Sequence, residues 1–323
     1  MPIAGVPHGA HAAAEGVRGR WEEMLDSLAG LLQGAGCVLI DGPAPAADLF
    51  AARLGEALLA RRRTVRLATD PAEAWDVAIH LRTGPANGRD DRDRRLFGGR
   101  AGIVVDLHDT NWPVIRRVTA PLAAGGPWYL TETRAFFACR AATWDAKFGD
   151  DLPAYRAAVA DSGIRRGGVA IDVGCGTGRA LPPLRDAVGP AGVVIALDVT
   201  PEMLHAARRP AAIARASLVI ADARALPFPV SSVDAIFAAG LVNHLPDTEA
   251  GLRELARVTR PGGLLVLFHP SGRAALAARH GRELSASEPL AERPLRKATA
   301  EAGWTLTAYD DAPHRFFALA QRH

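Results

Sequence analysis

The pattern of apolar and polar positions divides the first part of the chain into alternating helices and short strands. Apolar side chains recur at intervals of three and four over residues 15–34, which predicts an amphipathic helix. The same spacing over residues 46–63 predicts a second helix, with Leu49, Leu54 and Leu58 facing inward. Short apolar runs predict strands at 37–40, 64–69, 76–82 and 101–107. Strands separated by helices indicate a small parallel α/β unit.

A second alternation of strands and helices begins at residue 169 and extends to the C-terminal residues. Apolar runs predict strands at 169–173, 193–198, 218–222 and 233–238, a fifth strand after the Pro-Gly-Gly turn within 255–270, and two closing strands. Between the two alternations, "APLAAGGP" at residues 120–127 has the composition of a linker. We therefore predict two domains, at residues 1–125 and 126–323, with a helix at 133–148 early in the second.

Composition narrows the class of protein without defining its function. Of 323 residues, 49% are hydrophobic and 23% are charged, which indicates a packed globular chain. A net charge of +3 is too small to predict a nucleic-acid partner, and we expect none. The three cysteines form no CxxC pair, so neither a metal site nor a disulfide framework is expected. The N-terminal residues lack the pattern of a secretory signal and no apolar run approaches the length of a membrane span, so we expect a cytoplasmic protein without membrane contact.

The strongest chemical signal is "VAIDVGCGTG" at residues 169–178, where an apolar strand ends in a turn containing three glycines. In an open parallel sheet, ligands bind at the carboxyl ends of the strands, where this turn lies. The spacing is G-x-G-x-G, which differs from the G-x-G-x-x-G of dinucleotide-binding proteins. Acidic residues also stand at the predicted ends of three strands, at Asp172, Asp198 and Asp222. A single aspartate there could merely cap a turn, but three in succession favour a ligand site.

This series of blocks resembles the class I S-adenosylmethionine-dependent methyltransferases over about residues 133–323. The resemblance implies a Rossmann-like fold, with a mostly parallel seven-stranded sheet and helices on both faces, beside a smaller N-terminal α/β domain. It implies S-adenosyl-L-methionine as the cofactor. The glycine turn and Asp172 would face its methionine part, Asp198 would accept its ribose hydroxyls, and Asp222 would accept its adenine amino group beside the Ala223 backbone. The positions it assigns to the cofactor are Asp172, Gly174, Cys175, Gly176, Gly178, Asp198, Val199, Met203, Asp222, Ala223 and Gly240.

Methyl transfer can proceed through positioning alone, so a catalytic residue is not obligatory. If the acceptor is a hydroxyl, a general base assists, and His244 in "GLVNHLPD" follows the fourth predicted strand, where such a base would stand. It could equally pack within the loop. His269 is a second candidate, and no metal is expected. Within "TWDAKF", Trp144, Asp145 and Phe148 resemble the segment that covers the cofactor in this family, although simple helix packing would explain them as well.

The stretch "IDGPAPAADLF" near residue 42 has the strand, turn and helix of a P-loop. In the pattern G-x-x-x-x-G-K-[ST], Gly42 is the first glycine, but Ala47, Asp48 and Leu49 replace the glycine, the lysine and the hydroxyl residue. An anion replaces the cation that would meet phosphate, which disfavours triphosphate binding. The layout resembles a nucleoside kinase, and we interpret residues 1–125 as a degenerate P-loop domain. The Arg-rich segment at 84–100 resembles a kinase lid, but a solvated loop is the simpler interpretation.

Three functional hypotheses follow from these motifs. The first is a methyltransferase that acts on a small-molecule acceptor, with O-, N- or C-methylation left open. The second is a regulatory or nucleotide-responsive protein that uses the methyltransferase fold to sense S-adenosylmethionine. The third is a fusion of a kinase and a methyltransferase. The acceptor and the oligomeric state cannot be read from the sequence.

Overall fold

The structure, a computed structural model, divides the chain into two compact units, Met1–Ala135 and Phe136–His323. The division falls after Ala135 rather than after residue 125. The described residues are 8–83, 101–123, 128–279, 284–286 and 288–323, and the side chains of 8–17, 101, 120, 121 and 148 are not included. The Arg-rich segment 84–100 and part of the linker prediction, residues 124–127, lie outside them.

The N-terminal unit contains a five-stranded sheet with two long helices packed on it. Its elements are α1 (His8–Leu31), β1 (Cys37–Asp41), α2 (Ala44–Ala60), β2 (Arg66–Ala68), β3 (Val77–Arg82), β4 (Ala101–Asp106), β5 (Val114–Val118), α3 (Ala120–Ala123) and the start of α4 (Trp128–Ala141). The strand order is β2-β1-β3-β4-β5. Strands β1 to β4 pair in parallel, and β5 pairs antiparallel with β4. The predicted α/β alternation is therefore present.

The packed face of α2 differs from the prediction at one position. The helix begins at Ala44, and its buried side chains are Ala47, Phe50, Leu54 and Leu58. These positions recur at intervals of three and four, so they share one face of the helix. Leu49 is 53% exposed, and its predicted inward orientation is wrong. Five residues separate Leu49 from Leu54, which at about 100° per residue places the two side chains on different faces.

A buried ion pair fixes α1 within this unit. The Nη2 of Arg20 lies 2.5 Å from Oε1 of Glu132, and both side chains are only 1% exposed. The Nε of Arg20 also donates to the carbonyl of Pro113 at 2.8 Å, and the other oxygen of Glu132 accepts the N–H of Ile115 at 2.6 Å. The pair therefore joins α1, β5 and α4, with both charges compensated in the interior.

The C-terminal unit contains a seven-stranded sheet in the order β11-β12-β10-β9-β6-β7-β8. Its elements, after the end of α4, are α5 (Trp144–Phe148), a 3-10 turn (Gly149–Asp151), α6 (Leu152–Asp161), β6 (Val169–Val173), α7 (Leu181–Val188), β7 (Val193–Asp198), α8 (Pro201–Ala206), α9 (Arg208–Ala214), β8 (Ser217–Ile220), β9 (Val233–Ala239), a 3-10 turn (Val242–His244), α10 (Thr248–Val258), β10 (Thr259–His269), α11 (Arg273–Arg279), α12 (Glu292–Glu301), β11 (Trp304–Ala312) and β12 (Arg315–Arg322). Strand β12 runs antiparallel to β10 and β11, so the sheet is mixed, while its other pairings are parallel.

Both faces of this sheet are buried, as the continuous apolar strands require. Ile171 and Val173 of β6 pack into one core with Leu255 of α10, whereas Ala170 packs into the opposite core with Leu184 of α7. Alternate residues of one strand thus enter different layers. The Rossmann-like fold with helices on both faces is confirmed. In the part of the chain that the structure describes, no helix is both long and apolar enough to cross a membrane.

Two boundaries differ from the sequence prediction in this unit. The helix expected over residues 133–148 is two helices, because α4 ends at Ala141 and α5 begins at Trp144. The third strand, β8, ends at Ile220, two residues before Asp222. Asp222 instead forms an isolated bridge with Ala225. A prediction that placed Asp222 at the end of a strand was therefore wrong about the backbone there.

The Arg20–Glu132 pair leads to a prediction about stability. We expect Arg20→Met to lower the free energy of unfolding of the N-terminal unit by about 3–5 kcal/mol, because Glu132 would remain buried without a cation. The double variant Arg20→Met/Glu132→Met should recover part of this loss. Amide hydrogen exchange of α1 measures the effect within this unit. Arg66→Met, which removes the exposed partner of Glu73, should cost less than about 1 kcal/mol, and an equal loss for both arginines would contradict the prediction.

Candidate active site at the glycine turn

The glycine turn after β6 folds over the end of the neighbouring strand β7. The backbone N–H groups of Gly174 and Cys175 both donate to the carbonyl of Leu197, at 2.8 and 2.9 Å. The N–H of Gly176 donates to Oδ2 of Asp198 at 2.9 Å. Gly176 has φ +54°, a left-handed conformation that favours glycine. The glycine turn is therefore hydrogen-bonded to the end of β7, and the turn and Asp198 form one site.

Close packing explains the last glycine of the turn. Gly178 has φ +84°, and a Cβ atom at this position would lie 2.9 Å from Leu181 Cδ1 and 3.3 Å from Ala207 Cβ. A larger residue would therefore be strained and would crowd Ala207, Leu181 of α7 and Pro210 of α9. The helix itself begins only at Leu181, three residues after the last glycine.

Two acidic side chains are buried side by side at this edge of the sheet. Asp172 of β6 is 1% exposed, and neither of its carboxylate oxygens has a hydrogen-bond partner among the described residues. Burial, followed by repulsion from Asp198, raises the pKa of Asp172 to about 8. Burial also raises the pKa of Asp198, although the N–H groups of Thr200 and Gly176 partly offset this. A buried carboxylate without donors is costly, so this site favours a cationic ligand.

A polar network connects the segment at residues 144–151 to the glycine turn. The hydroxyl of Thr177 donates to Oδ1 of Asp145 at 2.6 Å, and Nε of Arg179 lies 3.2 Å from the same oxygen. The Nη1 of Arg179 reaches Asp151 at 3.5 Å. Sequence reasoning had noted Asp145 but missed Thr177 and Arg179. Both residues belong to the sequence "GTGR" of the glycine turn, and this position could have indicated that they take part in the site.

Asp222 is paired with a neighbouring arginine. Its Oδ2 accepts hydrogen bonds from Nε and Nη2 of Arg224, at 3.0 and 2.7 Å. Its Oδ1 accepts the backbone N–H of Arg224 at 2.9 Å. The half-buried Ala223 lies between them. Among the aspartates predicted to bind the cofactor, Asp172 and Asp198 are therefore brought together, and Asp222 carries an arginine partner that the sequence did not reveal.

The remaining predicted cofactor positions surround this site with different degrees of burial. Met203 of α8 is 1% exposed, and Cys175 is buried with a raised pKa because of burial. Val199 directly follows Asp198 and is half-buried. Gly240 follows β9 with φ +69°, and its N–H donates to the carbonyl of Phe268 at 2.8 Å. Most of these residues would therefore contact a ligand through backbone groups rather than through side chains.

The two candidate histidines occupy different surroundings. His244 lies in the 3-10 turn after β9 and contacts two phenylalanine rings, Phe136 at 6.5 Å and Phe137 at 5.1 Å between ring centroids. His269, at the end of β10, accepts the backbone N–H of Ser271 on Nδ1 at 3.0 Å. Across the described residues, no group of three or more His, Cys, Asp or Glu side chains is arranged to hold a metal ion.

Comparison with known proteins identifies the class of this domain. Residues 171–267, from β6 to β10, match the methyltransferase domain family. Demethylmenaquinone methyltransferase of Staphylococcus aureus is 38% identical over 112 residues, which is 34% of this chain and 46% of that protein. The chain thus spans about half the length of the curated relatives it matches. It therefore carries a class I S-adenosylmethionine-dependent methyltransferase domain.

Solved structures show weaker likeness. A methyltransferase from Aquifex aeolicus has 24% identity and a TM-score of 0.43, over 51% of this chain and 87% of that one. Geranyl diphosphate C-methyltransferase from Streptomyces coelicolor has 14% identity and a TM-score of 0.43, over 53% and 79% of the two chains. Neither score is high enough to support a conclusion about activity.

Asp172 makes the stability of the ligand-free protein depend on pH. An aspartate in an unfolded chain titrates near pH 3.9, whereas the pKa of native Asp172 is raised to about 8. Between these values the native state holds a proton that the unfolded chain has lost, so stability falls as the pH rises. We expect Asp172→Asn to reduce this dependence on pH. At pH 8 the substitution should raise the free energy of unfolding by an amount on the order of a few kcal/mol, and with it the melting temperature.

Thermal unfolding between pH 5 and pH 8.5 tests this expectation. Asp186→Asn, on the exposed side of α7, is the matched control and should follow the wild-type curve. Parallel curves for wild type and Asp172→Asn would show that Asp172 does not titrate in this range.

Proposed function

We propose that the protein transfers a methyl group from S-adenosylmethionine to a small-molecule acceptor. The observation that carries the proposal is Asp172, a fully buried carboxylate without hydrogen-bond donors beside a second buried carboxylate, Asp198. S-adenosylmethionine carries a sulfonium and an ammonium group, and either cation would favour the ionised form of this pair. An anionic ligand such as a nucleotide phosphate would be repelled.

The residues present fit this cofactor. We propose that Asp172 and the turn from Gly174 to Gly178 face the methionine part. Asp198 would accept the ribose hydroxyls, because its oxygens accept one N–H each from Gly176 and Thr200 and retain further lone pairs. The other proposed contacts are Cys175, Gly176, Val199, Met203, Ala223 and Gly240.

Asp222 has a more conditional role in this proposal. It would accept the adenine amino group, but its two oxygens already accept the backbone and side-chain N–H groups of Arg224. The adenine would have to share or displace that contact, so the net gain is smaller than at Asp198. We therefore assign the larger share of the hydrogen-bonding contribution to Asp198.

The bound cofactor supplies an electrophilic methyl group, and this chain positions the acceptor and removes a proton where the acceptor carries one. We propose His244 as the base for that proton, because it lies in the turn that follows the carboxyl end of β9. The Staphylococcus aureus relative is consistent with a small acceptor, since its name specifies demethylmenaquinone. The sensing and kinase-fusion alternatives receive no support from the comparisons.

The N-terminal unit is proposed as a degenerate P-loop domain without triphosphate chemistry. Strand β1 ends at Asp41, the turn contains Gly42 and Pro43, and α2 follows from Ala44. Asp48 and Leu49 are exposed near the start of α2, where a P-loop needs a lysine and a hydroxyl. This unit would serve as a scaffold.

Isothermal titration with S-adenosylmethionine and S-adenosylhomocysteine tests the function. We expect Asp198→Asn to weaken binding by about 10-fold or more, since a hydrogen bond to a charged group contributes about 1.5–3 kcal/mol. Asp222→Asn should weaken it less, because Arg224 already satisfies that carboxylate.

The matched control is again Asp186→Asn, which should bind both compounds like wild type. Failure of the folded wild-type protein to bind either compound would refute the proposed function. Equal effects of Asp198→Asn and Asp186→Asn would refute the ribose assignment alone.

A further inference from the structure

Four aromatic side chains form a contiguous cluster in the C-terminal unit. This cluster, which we call the aromatic wall, consists of Phe136, Phe137, Trp144 and His244. Phe137 lies at its centre, 5.0 Å from Phe136, 5.8 Å from Trp144 and 5.1 Å from His244 between ring centroids. The ring planes of Phe137 and His244 meet at 68°, an edge-to-face arrangement.

Two independent contacts place the aromatic wall beside the glycine turn. Trp144 precedes Asp145, whose carboxylate accepts the hydroxyl of Thr177 within the turn at 2.6 Å. His244 follows Leu241, whose Cδ1 lies 3.2 Å from the position that a Cβ on Gly174 would occupy. The wall therefore lies next to the proposed cofactor site.

The wall differs from the aromatic packing of the core. Phe237 and Phe268 of the sheet are 0% and 2% exposed, and they pack with Tyr155 at 6.3 and 5.0 Å. All four members of the aromatic wall, in contrast, are only half-buried. Clustered aromatic surface that remains exposed next to an active site is typical of a ligand-binding surface.

The charges near the wall indicate which ligand it favours. The guanidinium of Arg140 stacks on the Phe136 ring at 3.9 Å and donates to the Phe136 carbonyl at 2.7 Å. This cation would repel a protonated amine, the other ligand that aromatic rings attract. The carboxylate of Asp145, which could compensate an amine, already accepts from Thr177 and Arg179. A neutral or anionic ring compound suits these surroundings better.

The geometry points to a planar aromatic compound with a ring hydroxyl as the acceptor, a conclusion that rests on the proposed function. The ring would pack against Phe137 and Trp144, with its hydroxyl towards His244 and Arg140 stabilising developing phenolate charge. The hydroxyl proton passes to the His244 imidazole as the oxygen forms its bond to the methyl carbon. The carbon–sulfur bond breaks with its electron pair on sulfur, which leaves S-adenosylhomocysteine, an aryl methyl ether and a protonated His244.

The fluorescent phenol 2-naphthol provides a probe for this site. With S-adenosylhomocysteine bound, we expect naphthol anisotropy to rise on titration with the full chain. With S-adenosylmethionine, we expect to detect the methyl ether of naphthol by mass spectrometry, and no methylation of phenethylamine.

Two variants test the roles of the wall residues. Phe137→Leu should raise KM for 2-naphthol about threefold to tenfold, because an aromatic pair is lost, with little change in kcat. His244→Gln should lower kcat about 100-fold or more. It should also abolish the decrease of kcat at low pH that protonation of a general base causes.

Phe228→Leu is the matched control, since the half-buried Phe228 packs against the sheet core from another loop and its replacement should leave KM unchanged. Binding of S-adenosylhomocysteine is measured first in every variant. If it binds but 2-naphthol neither binds nor is methylated, or if phenethylamine is methylated instead, the acceptor assignment is overturned and the proposed function stands. If S-adenosylhomocysteine does not bind to the wild type, both fail.

Discussion

The C-terminal site depends on one electrostatic constraint, the burial of Asp172 next to Asp198 where two parallel strands end. Parallel pairing of β6 and β7 forces the two carboxylates to the same edge. The glycine turn donates an N–H to Asp198 but none to Asp172, whose oxygens stay without partners among the described residues. Folding therefore leaves one acidic group unsatisfied, and a cationic ligand is what would satisfy it.

The two units treat an aspartate at a strand end in opposite ways. In the N-terminal unit, Asp41 ends β1 and its Oδ2 lies 2.5 Å from Nδ1 of His80 on the adjacent strand. In the C-terminal unit, Asp172 occupies a similar place in β6 with no such neighbour. Similar strand–turn–helix layouts therefore leave the aspartate paired in one unit and without a hydrogen-bond partner among the described residues in the other. The difference lies in the side chain that the neighbouring strand supplies.

Much of the fold was predictable because buried parallel strands are continuous apolar runs, and "VAIDV" and "VVIALD" coincide with β6 and β7. Prediction failed for the orientation of one helix residue, for one local ion pair and for contacts between distant segments. Leu49 was judged inward because it is apolar, although the helix turns it towards solvent. Asp222 was placed at the end of a strand, although Arg224 holds it in a turn. The partners of Asp145, namely Thr177 and Arg179, were missed because 32 or more residues separate them along the chain.

The sequence by itself determined the order of strands and helices, the glycine turn, and the acidic residues Asp172 and Asp198 at the sheet edge. These features are local, because they follow from periodicity and from glycine at positions of positive φ. Only the tertiary structure decided which of the aspartates remain unpartnered, and that Phe136, Phe137 and Trp144 gather around His244. Such outcomes depend on which distant segments meet, and spacing along a chain does not encode those encounters.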